Sequence, residues 1–152
     1  MIELQLTASD FQLELYVDGY EFPGFDTGRD ANALACEIEL DLGRRLDLHA
    51  SHAQLILYTF ELADFIDQLR ALEHAPDGQA TLGDPDEQSG DELGLTITLS
   101  DGHGALAGFL ADNTTRLSFE TIDIDRSFLS DTLAQLATII DAFPVRGDPA
   151  AD

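Results

Sequence analysis

A chain of 152 residues in which 44% are hydrophobic, with nine Phe and three Tyr, is too rich in core-forming side chains to be an acidic disordered tail. Thirty acidic residues against seven basic ones, all arginine, set the formal net charge at −23 and the isoelectric point near 4.1, a surface that repels phosphate backbones and anionic membranes and attracts cations or basic proteins. The single cysteine, Cys36, excludes an internal disulfide framework and reads as a small buried hydrophobe, since no basic group near it in sequence would lower its pKa.

The N-terminal MIELQLTASD lacks a basic region followed by a long apolar one, and no stretch has the roughly 18 apolar residues of a membrane span, so a cytoplasmic protein is expected. Phe11, Leu13, Leu15 and Val17 alternate with polar neighbours, the period of a strand with one buried face. Leu34, Cys36, Ile38, Leu40 and Leu42 repeat that pattern, and after Gly43 the run Leu46, Leu48, Ala50 reads as a hairpin partner. Gln54 to Tyr58 predicts a further short strand. Behind it Leu62, Phe65, Ile66, Leu69 and Leu72 form the stripe of an amphipathic helix, with Thr59 as its N-cap.

Residues 76–92 concentrate Gly, Pro and acid and read as a loop or linker. Beyond it Leu93 to Leu99 alternates, Ser100 to Gly104 turns, and 105–111 and 116–122 give two more strands. Leu129, Leu133, Leu136, Ile140 and Phe143 mark a closing helix that Pro144 stops. The expected fold is α+β: one domain over 1–145, an antiparallel sheet of about six to seven strands with two helices packed on it, a βββα plan that recurs, and a flexible C-terminal tail over 146–152.

Several constellations resolve into structural readings. His49 and His52, three apart at a strand end, would diverge rather than share a metal. The segment from Asp84 resembles a calcium loop in composition but not in register: position six is Ser89 and position twelve Leu95. Gly102, Gly104 and Gly108 lie between strands with no helix N-terminus to receive a phosphate, and Asp123 and Asp125, just before a helix, suit capping better than acid and base chemistry. No nucleophile elbow and no basic patch interleaved with aromatics is present, which disfavours an enzyme and a nucleic-acid binder; no cofactor is expected.

The segment Gly19-Tyr20-Glu21-Phe22-Pro23-Gly24, followed by Asp26, Asp30, Ala31 and Asn32, stands apart. Tyr20 and Phe22 can close the end of a sheet, Pro23-Gly24 has type II turn chemistry, and Asp30 and Asn32 can bond their own backbone. Taken in order, a strand ending in GYEFPG, an acidic loop, DAN and then an alternating strand resembles the small WapI-type bacterial immunity proteins, with Ala33 where relatives usually carry Trp. The resemblance implies a non-catalytic antidote that binds a toxin domain, often a nuclease, by stoichiometric occlusion. An acidic protein suits such a target, because a nuclease presents a basic cleft. The expected partner contacts are Tyr20, Phe22, Asp26, Asp30 and Asn32, with the acidic loop Asp84, Asp86, Asp91 and Glu92. Two other readings compete: an acidity imposed by a salt-rich habitat, where screening shortens the reach of charge to roughly 3 Å at 1 M, and a small-ligand or calcium-binding module around residues 83–92.

Overall fold

The computed structural model describes residues 1–86 and 90–151. The chain runs β1 (Ile2–Ala8), β2 (Phe11–Tyr20), a single 3-10 turn (Asp30–Asn32), β3 (Ala33–Leu42), β4 (Leu48–Tyr58) and α1 (Thr59–Glu73). It continues with β5 (Gly78–Leu82), β6 (Leu93–Ser100), β7 (His103–Ala111), β8 (Arg116–Ile124) and α2 (Arg126–Ala142). Among the described residues the strands form two antiparallel sheets of four, ordered β1-β2-β3-β4 and β5-β6-β7-β8. The α+β class and the two packed helices agree with the sequence reading, whereas the single sheet of six to seven strands does not: the repeating unit is ββββα, used twice.

Each discrepancy has a local cause. β1 buries only Leu4 and Leu6 fully, and β5 only Ala80 and Leu82, so both carry too few inward residues to stand out from polar surroundings. β4 was expected as two strands because it contains a bulge. Cys36 faces Leu55 but Ile38 faces His52, so β4 holds one extra residue there. The insertion moves the inward set from the partly buried Ala50 and His52 to the buried Leu55 and Leu57, breaking the period-two signal in the middle of one strand. His49 and His52 precede the bulge and, three apart on a strand, point to opposite faces: His49 pairs with Asp41 and His52 with Glu92.

One hydrophobic cluster joins both sheets and both helices. Leu62, Phe65, Ile66, Leu69 and Leu72 form the buried stripe of α1, as their spacing predicts. In α2 the buried positions are Phe128, Leu129, Thr132, Leu136 and Ile139, a stripe rotated from the expected one, with Leu133, Ile140 and Phe143 only partly buried. Asp125 caps α2, its carboxylate accepting from Phe128 N at 3.0 Å. Asp123 does not cap and lies in β8. Thr59 is not a cap either: α1 leaves β4 directly through Tyr58, and the buried Thr59 hydroxyl donates to Asn32 Oδ1. The β6 to β7 hairpin turns on Asp101 and Gly102, both at positive φ (51° and 79°), the geometry of a two-residue type I′ turn.

The two helices engage the sheets in equivalent ways. Nine residues beyond the first residue of its helix, each carries a glutamine whose carboxamide pairs with strand backbone. Gln68 of α1 accepts from Thr81 N at 2.9 Å and donates to Thr81 O at 3.3 Å, on β5. Gln135 of α2 accepts from Gln5 N and donates to Gln5 O, both at 2.7 Å, on β1. Each half's helix therefore covers the edge strand that opens the other half, satisfying main-chain groups that an unpaired edge would leave open.

Cys36 is 2% exposed on β3, and burial, assisted by the charge of Asp18, pushes its thiol up to about 12 from 9.0. Above pH 9.0 the unfolded chain's thiol releases a proton that the folded chain retains until about 12, so this group's contribution to stability falls as pH rises through that window. At about pH 8 the thiol should resist a disulfide reagent until denaturant is added. Labelling at equal rates with and without denaturant would contradict its burial.

Candidate functional site

The distinctive loop between β2 and β3 is held by the C-terminal segment. A register shift between Val17 and Gly19 interrupts the β2 ladder before its last two pairs, and Tyr20 packs edge-on against Phe143, ring centroids 5.5 Å apart, while its hydroxyl donates to Pro144 O. Phe25 N bonds to Phe22 O at 3.1 Å, closing a turn over Pro23 and Gly24. Gly24 is not at positive φ, so the expected type II geometry, which requires it at that position, is not adopted.

Arg146 organises this turn. Its Nη1 donates to Pro23 O at 3.1 Å and Phe25 O at 2.9 Å, and the guanidinium carbon lies 3.4 Å from the Tyr20 ring centroid. The consequence is an exposed aromatic pair. Phe22 and Phe25 stack with centroids 5.3 Å apart at 19°, and they remain 41% and 50% exposed. Residues 146–151, the described part of the segment expected as a flexible tail, lie along the loop. Gly28 N bonds to Asp148 O at 3.0 Å, Asp148 N to Thr27 Oγ1 at 3.3 Å, and a Cβ on Gly147 would meet Asp26 O at 2.7 Å.

Asn32, expected at a partner surface, is fully buried and acts as an internal strut. Its Nδ2 donates to Gly28 O (2.9 Å) and Arg146 O (3.0 Å), while Oδ1 accepts from Arg146 N (2.8 Å) and from the Thr59 hydroxyl. One side chain thus ties the loop, the C-terminal segment and the start of α1 together, using all of its donors and both acceptor directions. Asp26 and Asp30 lie on the exposed face around it.

In the second acidic group, Asp84 N bonds to Asp91 Oδ2 at 2.8 Å and Asp86 N to Asp84 Oδ1 at 2.9 Å, so these carboxylates shape their own loop. Arg116 braces it, donating to Pro85 O at 3.0 Å while lying over the Phe109 ring. Glu92 pairs with His52 and links the two sheets. Burial, and next the charge of Asp91, raise the pKa of Glu61, whose carboxylate lies 3.9 Å from Arg29. Arg29, stacked 4.1 Å over Tyr58, thereby connects the 26–30 segment to the neighbourhood of Asp91. Ser89, position six of the calcium-loop register, lies outside the described residues. Among the described residues no group of three or more His, Cys, Asp or Glu is placed to hold a metal ion, and no helix is long and apolar enough to cross a membrane.

Phe25 and Arg146 escaped the sequence reading. Phe25 interrupts an otherwise polar loop without any period to mark it, and Arg146 acts across more than a hundred residues of sequence. The scarcity of cations was the available signal, since each of seven arginines in such an acidic chain is a candidate organiser.

A model described as "Immunity protein WapI-like family" matches residues 4–144. No curated protein matches. Among solved structures, the plant transcriptional regulator PBF-2 is similar with a TM-score of 0.52 at 11% identity, over 92% of this chain and 88% of that one. WHY1 from Arabidopsis thaliana is similar with a TM-score of 0.52 at 11% identity, over 91% and 88%. At that identity the likeness is one of fold alone.

Proposed function

From the premise that the chain belongs to the WapI-like immunity protein family, we propose that it is a cytoplasmic antidote that binds a basic toxin domain, a nuclease being the favoured class, and blocks it by stoichiometric occlusion. The observation that carries the location of the interface is the exposed Phe22 and Phe25 stack on a loop fixed by Arg146. Aromatic anchors that are rigid before binding lose little conformational entropy when buried, and such residues dominate the energetics of protein interfaces. Asp26 and Asp30 beside them, with Asp84, Asp86, Asp91 and Glu92 as a second acidic group, would steer a positively charged partner to the anchors.

The reading assigns no turnover and no cofactor to the chain. The fold likeness to a plant transcriptional regulator supplies no function here, and a net charge of −23 opposes binding to a phosphate backbone. The direct test is to mix the purified chain with the toxin domain encoded beside it. A one-to-one complex whose association rate falls steeply with added salt is expected. Absence of a complex between two folded partners would overturn the proposal, and salt-independent association would remove the charge from it.

A further inference from the structure

A second surface lies where α2 passes the outer edge of β1, beyond the contact that Gln135 makes with Gln5. Gln135 fixes which main-chain groups face outward there. Because Gln5 offers its N–H and C=O to the carboxamide, Leu4 and Leu6 direct theirs to β2, and Glu3 and Thr7 direct theirs away from the sheet. A primary amide has the donor and acceptor of a peptide unit, so Gln135 occupies the place that the backbone of an added strand would take.

Beyond this plug, toward the end of β1, the helix and the strand diverge into a groove of about 730 Å³. Thr7 and Ser9 line one side and Asp123, Asp125 and Asp131 the other, and no basic residue is among the described residues that form it. Asp125 is committed to capping α2, whereas Asp123 and Asp131 are exposed. The wall also contains Thr132, 1% exposed, whose hydroxyl has no hydrogen-bond partner among the described residues. Unpaired buried polar groups are scarce in folded proteins and ask for a reason. The equivalent position in α1, six residues beyond the helix start, is Phe65 with no polar atom. The groove therefore combines the outward-facing main chain of Thr7, carboxylates with no basic residue in its lining, the charge of Arg44 reaching Asp123 from outside it, and a buried hydroxyl without a partner among the described residues.

We propose that this groove is a docking slot for a short extended basic segment of the protein partner, added beside β1 with its cationic side chains against Asp123 and Asp131. This deepens the immunity reading by naming the second element of the partner that the chain grips. Strand addition supplies affinity through main-chain hydrogen bonds and specificity through the alternating side chains.

The test uses the full isotope-labelled chain and a capped hexapeptide of alternating valine and lysine, with the glutamate counterpart as control. Amide shifts confined to Thr7, Ser9 and the first turns of α2 are expected, with affinity reduced about fivefold in Asp123→Asn/Asp131→Asn, two weakened charge pairs. N-methylation of alternate peptide amides should abolish binding, and thermal unfolding verifies that the variant is folded. Shifts spread over the acidic surface, indifference to N-methylation, self-pairing of the chain at this edge, or no binding would each overturn the slot. None of these outcomes involves the toxin, so failure of the slot and failure of the immunity reading are read separately.

Discussion

Asn32→Ala is expected to lower the free energy of unfolding by about 3–5 kcal/mol in urea titration. The side chain is fully buried, and its removal strands Gly28 O, Arg146 N, Arg146 O and the Thr59 hydroxyl at once. Leaving a buried polar group unpaired costs about 1–3 kcal/mol, and partial hydration of the resulting cavity returns some of the sum. Because three segments meet at this amide, the loss should reach beyond stability. The C-terminal segment should detach and the Phe22 and Phe25 pair should lose its support, detectable as accelerated amide exchange at Gly28 and Asp148. A change below about 1 kcal/mol would mean that the segments are held by other contacts.

The second large effect falls on binding with the fold preserved. Phe22→Ser together with Phe25→Ser should leave the unfolding midpoint nearly unchanged, since both rings are about half exposed and neither belongs to the core cluster. Affinity for the toxin domain should fall by about 100-fold or more, because central aromatic anchors typically contribute about 2 kcal/mol or more each. Neutralising Asp26 and Asp30 is the contrasting change. It should slow association and flatten its salt dependence with little effect on dissociation. Equal losses from all these sites would point to bulk charge instead of a defined interface.

The elements legible in the sequence were those whose periodicity ran uninterrupted: β2, β3, β6 to β8 and both helices. β1 and β5 were lost because each buries two residues, and β4 was split in two because its bulge reverses which residues face inward halfway along. The second sheet followed from those omissions, since without β1 and β5 the strands fit a single layer. At the candidate site, residues 19–32 were conspicuous for their Gly, Pro and aromatic content, which local chemistry makes visible. What local chemistry could not reveal was that Asn32 faces inward, between small Ala31 and Ala33, or that Arg146 and Asp148 return from the far end of the chain to fix the loop. Both depend on long-range contacts that leave no periodic trace.

The most direct measurement of the central proposal is survival of cells expressing the adjacent toxin domain, with this chain, with its Phe22→Ser/Phe25→Ser variant, or with neither. Wild-type chain should restore growth and co-purify with the toxin in equal amounts, while the folded, equally abundant variant should fail to protect. Cells dying alike with and without well-expressed wild-type chain would contradict its role as antidote to that toxin, and full protection by the variant would contradict the aromatic loop as the place where it binds.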